Sequence, residues 1–175
     1  MGAMSLSRTG NLLGALSLAI ADDVLDAVRA ETDSSGASAA AALALLGHAP
    51  GLTIKQLGQV LRLSHPGAVR LVDRLARDAL VTRERSAQDG RAVTLALTGA
   101  GRAAAERILA SRRGVLEAAL GAFSATECRT FEALAEKLLR AALDDGLHAA
   151  RVCRLCDPDD CRGCPVESEI ASRAG

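Results

Sequence analysis

Four of the chain's five cysteines fall in one short stretch, CRLCDPDDCRGC, residues 153–164. Cys153 with Cys156 and Cys161 with Cys164 form two C-x-x-C pairs separated by four residues. Each pair can offer two thiolates from one tight turn, and Asp157-Pro158-Asp159-Asp160 is turn chemistry suited to reversing the chain between them. Four soft thiolates at this spacing suit a closed, tetrahedral, structural Zn²⁺. In a reducing compartment a metal is favoured over permanent disulfides. Redox-active disulfides are the second reading, and an iron–sulfur cluster, hinted at by Pro165 after the last cysteine, is the third.

Two other constellations resemble catalytic ones. Gly99-Ala100-Gly101-Arg102-Ala103-Ala104 follows a strand-like run and opens a helix, as a dinucleotide fingerprint does. That fingerprint needs a second parallel strand and an acidic residue roughly twenty positions onward; Glu117 falls near that spacing but inside continuous helix, and no second strand follows. Cys128 and His148 offer a thiol and a base. On one continuous helix from about residue 125 to 147 they stand roughly 30 Å apart. Cys128 shares a helical stripe with Phe131, Ala135 and Leu138 and reads as a small hydrophobe. The chain is therefore read as a non-enzyme.

The remaining polar signal is arginine. From Arg62 to Arg91 there are seven (Arg62, Arg70, Arg74, Arg77, Arg83, Arg85, Arg91) against four acids (Asp73, Asp78, Glu84, Asp89), in a chain of zero formal net charge. Residues 22–33 carry five acids and only Arg29. Charge polarised in this way is what a nucleic-acid surface requires. Trp and Tyr are absent and only Phe123 and Phe131 are aromatic, which excludes base-stacking platforms and aromatic cages. No apolar run reaches the length of a membrane span and no secretory signal pattern is present, so a cytoplasmic location is expected.

The elements that must position these arginines follow from periodicity and punctuation. Leu13, Leu16, Ile20, Val24 and Val28 recur at helical spacing up to Asp33-Ser34-Ser35-Gly36, and a second helix spans about 37–46. Much of the 49% hydrophobic content is alanine, which favours helices more than cores. Thr53 with Gln56 is a capping-box pattern opening a short helix, and Ser64 caps the next, with Pro66 tolerated in its first turn. Its expected buried face is Val69, Val72, Ala76 and Leu80. Residues 92–97 alternate as a half-buried strand, with 81–85 as the partner across a polar turn. Thr98 caps a long helix, and Ser124 with Glu127 caps another whose Phe131, Leu134, Leu138 and Leu139 are expected to face inward. Two short helices joined by a few residues and followed by a hairpin make a winged helix-turn-helix.

The stretch HPGAVRLVDRLARDALVTRERSAQDGRAVTLALTGAGR resembles the recognition helix and wing of MarR-type transcriptional regulators. VRLVDRL, the Asp-x-Arg of Asp89-Gly90-Arg91 and the LT-x-x-G of residues 97–101 carry the likeness, which covers about residues 12–147. The resemblance implies an obligate dimer with interlocked terminal helices and a pocket between the dimer helices and the winged helix. It implies that His65, Gly67, Ala68 and Arg70 face the major groove, and that Arg91, held by Asp89, reaches the minor groove. Many members have a second arginine where this chain has Gly90, which implies a weaker wing contact. The residues themselves agree. Arginine suits guanine edges and narrow minor grooves, and Ser64 leaves a helix N-terminus free to meet a phosphate. Arg74, Arg83 and Arg85 complete the set, Arg74 as a phosphate contact or solvated charge. Asp73 is read as an ion-pair partner of Arg70 or Arg77.

The expectation is a mainly α protein with a two-stranded wing: a dimerisation helix (1–36), a winged helix-turn-helix (37–98), C-terminal dimerisation helices (99–149) and a cysteine-rich tail (150–175). Its function is read as a regulator, a repressor, that binds a pseudo-palindromic double-stranded operator as a homodimer. A small molecule, redox or metal signal would release it. The alternative is a helical metal-binding or scaffold module that never touches DNA. The tail, poor in apolar residues, is expected to be disordered without metal and to affect DNA binding only modestly.

Overall fold

In the computed structural model, residues 3–32, 36–85, 92–157, 159–160 and 163–174 are described, with the side chains of 3–6 and 170–174 left aside. The helices are α1 (Ala3–Ala30), α2 (Gly36–His48), α3 (Ile54–Val60), α4 (His65–Arg77), α5 (Gly99–Leu120), α6 (Ala125–Ala142), α7 (Gly146–Val152) and α8 (Pro165–Ala174). Strands β1 (Val81–Arg85) and β2 (Val93–Leu97) lie between α4 and α5, and a 3-10 turn, Cys153–Leu155, follows α7.

Helix α2 is the centre of the core. Every residue from Ala39 to Leu46 is buried, five of the eight being alanine. A helix apolar all round belongs inside, and small side chains let its neighbours approach closely. It packs against α1, α4, α5, β2 and the 3-10 turn. The alanines are thus core as well as helix formers, contrary to the composition-based expectation. Around them Val28, Leu43, Leu57, Val72, Leu75, Leu95 and Ile108 are all but fully buried. Each such side chain contributes about 1.5–3 kcal/mol relative to exposure.

The hairpin is antiparallel, with Val81 opposite Leu97, Arg83 opposite Leu95 and Arg85 opposite Val93. Two strands alone are marginal in water. Here Leu95 N also donates to Leu52 O at 2.9 Å, Gly51 N donates to Leu95 O at 3.3 Å, and Thr53 bridges Thr94, so β2 is paired on both edges. Its buried Leu95 and Leu97 pin the register to the core, because a one-residue slip would turn them to solvent. At the exit, Thr98 Oγ1 accepts from Gly101 N (2.9 Å) and donates to Ala79 O (2.7 Å). A Cβ on Gly101 would stand 1.9 Å from Leu80 O. The G-x-G-x-x-A pattern is therefore a packing device that seats α5 on the start of the wing.

The C-terminal helix is shorter than its periodicity predicts. Leu143 turns extended (φ −80°, ψ 131°), and Asp145 caps a separate α7 by accepting from His148 N at 2.7 Å. The continuous helix assumed between Cys128 and His148 does not exist. Phe131, Leu134 and Leu138 do not face inward: together with Leu12, Leu13 and Leu16 on α1 and Phe123 before α6 they are 39–58% exposed. Phe123 and Phe131 stack obliquely on each other, with centroids 5.6 Å apart. Cys128 is half-buried.

The tail is docked on the body. Leu155 joins the main core against α2, and Val166 packs with Leu143 and Ala149 in a second cluster that Cys153 and Cys164 border. Arg113 of α5 holds Asp157 at 2.6 Å and Asp160 at 3.1 Å. Helix α7 lies on α3 of the helix-turn-helix. The few apolar side chains of the tail build no core of their own but add to that of the winged helix and to the second cluster.

Candidate nucleic-acid interface and cysteine tail

The helix-turn-helix is built by close backbone approach. A Cβ on Gly58 of α3 would meet the Ala68 methyl at 3.0 Å, so only glycine lets α4 cross so near. Ala68 is consequently 0% exposed. It cannot face a groove, which corrects the sequence-based assignment: it is the pivot of the two helices. The buried face of α4 is Ala68, Leu71, Val72 and Leu75, with Val69, Ala76 and Leu80 only partly covered.

Both helices end in six-residue Schellman closures. Leu63 N donates to Gly58 O and Leu80 N to Leu75 O, each at 2.9 Å. The left-handed residues are Arg62 (φ 54°) and Ala79 (φ 56°), where glycine is usual. The sequence reading missed these turns because neither carries the glycine that signals one.

What α4 leaves to solvent is its first two turns. Ser64 Oγ accepts from Gly67 N at 3.3 Å, capping the helix as expected. A Cβ on Gly67 would come within 3.2 Å of that same oxygen, so Gly67 protects the cap. Ser64, His65 and Arg70 are exposed, and Arg74 is half-buried. Asp73 pairs with neither Arg70 nor Arg77. It accepts from Arg83 Nη2 of β1 at 2.5 Å, across ten residues, so helix and wing are tied together by an ion pair. Arg83 is thereby partly neutralised and acts as the wing's anchor, while Arg85 is exposed at the end of β1. Asp89 and Arg91 lie outside the described residues.

In the tail, Cys153 and Cys156 come together at the 3-10 turn. The pKa of the Cys156 thiol is lowered to about 6, first by a hydrogen bond with Cys153 and further by Arg112 and Arg154, against burial and Asp157. Cys164 stands at the start of α8 and Cys161 lies outside the described residues. Among the described residues no three metal-type ligands are gathered at one point. Two of the four expected ligands are therefore adjacent, and a closed tetrahedral set is not assembled among the described residues.

A cavity of about 400 Å³ opens between the C-terminal end of α1, α2, the end of α4 and α5, lined by Glu31, Leu43, Leu75, Asp78 and Arg107 among others. Glu31 accepts from Ser111 Oγ at 2.7 Å and faces Arg107 at 3.6 Å. Among the described residues no helix is long and apolar enough to cross a membrane.

Residues 35–92 match the model of the MarR family. Comparison with curated proteins finds no match. Among solved structures, a MarR family protein from Bacillus stearothermophilus superposes with a TM-score of 0.68 at 24% identity, over 79% of this chain and 95% of that one. The YusO protein from Bacillus subtilis gives 0.66 at 23% identity, over 81% and 100%. A transcriptional regulator of the MarR family from Silicibacter pomeroyi gives 0.59 at 27% identity, over 75% and 90%. Residues 35–92 are thus similar to the MarR family, and the chain, with its surrounding helices arranged as in these structures, has the fold of MarR-family transcription regulators.

Proposed function

We propose that this protein is a dimeric, sequence-specific DNA-binding transcription regulator that represses until a signal releases it. The observation that carries the reading is the ion pair between Asp73 and Arg83, which ties α4, with its exposed first turns, to the first strand of the wing. Arg70 then reads base edges and Arg85 the flanking backbone, with His65 and Ser64 at the helix start. Asp89 and Arg91, which lie outside the described residues, are assigned to the minor-groove contact. The exposed Leu12, Leu13, Leu16, Phe131, Leu134 and Leu138 supply the apolar faces through which two copies associate. The cavity beside Glu31 and Arg107 is the place for a small-molecule effector, since it touches α1 and α5 as well as α4.

The test is fluorescence anisotropy with operator DNA selected from a random pool. Arg70→Ala should weaken specific binding by about 5- to 150-fold, equivalent to roughly 1–3 kcal/mol, and relax preference at one position. Equal binding by the variant would refute the assignment. A scaffold without DNA binding is the competing class, and failure to select any sequence would favour it. For the tail we retain zinc on Cys153, Cys156, Cys161 and Cys164, supported by the adjacency of the first two thiols. Protein purified without oxygen should carry one zinc per chain. Metal-free protein whose operator binding changes on oxidation would replace zinc by a thiol switch.

A further inference from the structure

A second, smaller cavity of about 270 Å³ lies where the tail meets the helix-turn-helix. Its walls are the end of α3 (Val60, Leu61), the left-handed turn residue Arg62, His148 and Arg151 of α7, and Arg154 of the 3-10 turn. Three arginines and a histidine line this space and no carboxylate residue does. Among the described residues none of the three arginines pairs with a carboxylate, and Arg154 acts on the Cys156 thiol. Asp144 lies beside the cluster: its backbone N–H donates to His148 Nδ1 at 3.3 Å, and its Oδ2 stands 3.2 Å from the same nitrogen. Arg151 donates through Nη2 to Gln59 O at 3.4 Å, yet its Nε is buried and has no hydrogen-bond partner. Arg154 donates to the backbone carbonyl of Arg151 at 2.6 Å, which fixes the Arg154 guanidinium beside that stretch of α7.

Like charges gathered in a concave site repel one another, and a buried unpaired N–H of a charged group is costly. Both penalties vanish if an anion enters. We propose that this cavity is an oxyanion site for a phosphate group, held by Arg62, Arg151 and Arg154 with His148 at its edge. Planar guanidinium forks match phosphate oxygens in bidentate fashion. The volume falls below that of drug-sized ligand sites, so the cavity admits a phosphate or a small phosphorylated compound. Because Arg62 belongs to the turn between α3 and α4 and the other two arginines to the tail, a bound phosphate clamps the tail onto the helix-turn-helix. The phosphate can be free or can belong to a DNA backbone; the chemistry is shared and the test separates the sources.

Thermal unfolding of the full chain in inorganic phosphate is compared with sodium chloride of equal ionic strength. A free-phosphate site raises Tm in phosphate by a few degrees. The increment is lost in Arg154→Gln and in Arg62→Asn, the latter exposed and tolerant of the left-handed conformation. If phosphate leaves Tm unchanged but Arg62→Asn lowers the salt dependence of DNA affinity by about one counterion, the site takes backbone phosphate. An increment of the same size in both variants, or neither effect in the wild type, overturns the proposal. The thermal arm does not depend on DNA binding, so it stands or falls separately from the regulator reading.

Discussion

Gly101→Ala adds one methyl near the start of α5, where a Cβ would meet Leu80 O at 1.9 Å. The obstacle is backbone at the entrance to β1, so no side chain can swing away. Relief requires α5 to lift from the hairpin, which strains the bond from Thr98 N to Leu80 O, now 3.0 Å. Overpacking of this kind costs about 1–3 kcal/mol. Losing the hydrogen bond adds about 1 kcal/mol, and the better helix propensity of alanine returns up to about 1 kcal/mol. The expected net loss is about 2 kcal/mol, or about 4–8 °C in Tm for a chain of this size. Gly99→Ala is the matched control: nothing lies within 4 Å of its Cβ position, so the variant should be neutral or slightly stabilised. Urea unfolding at fixed protomer concentration measures both. If Gly101→Ala is as stable as Gly99→Ala, the close seating of α5 on the wing is wrong.

Three further outcomes are expected. Ala79→Gly should stabilise by up to about 1 kcal/mol in the same assay, because glycine removes the left-handed penalty at φ 56° and gives back part of it as unfolded-state entropy. The His48 imidazole is held below its ordinary value of 6.5 by burial, opposed by a backbone bond with Ala44 and by Asp157. The unfolded chain therefore binds that proton more tightly. Stability should be full above about pH 6.5 and fall as the pH drops below it, and His48→Gln should flatten that decline. Leu134→Glu with Leu138→Glu should leave the winged helix folded by circular dichroism and convert a dimer to a monomer in sedimentation.

The helix starts were legible because a cap is a local device. Thr53 with Gln56, Ser64, Thr98, and Ser124 with Glu127 all bond as their spacing suggests. The wing was legible through strict alternation, and the family likeness through the same residues. What was not legible is set by tertiary approach. The buried face of α4 is fixed by the Gly58–Ala68 contact, which periodicity alone misplaces, and it removes Ala68 from the candidate interface. Asp73 chose a partner ten residues away on the wing over the arginines of its own helix. The break before α7 did have a signal in Asp144-Asp145-Gly146, a turn and cap that the hydrophobic stripe on either side concealed. The docking of the tail depends on Arg113 meeting Asp157 across 44 residues, a pairing no local pattern announces.

Footprinting of the wild-type protein on DNA selected from a random pool bears most directly on the regulator reading. Two protected half-sites of related, inverted sequence, centred about one helical turn apart, are predicted, and Arg70→Ala should leave a guanine in each half-site unprotected. Uniform protection with no preferred sequence, or a single unpaired site bound by one protomer, would contradict the account.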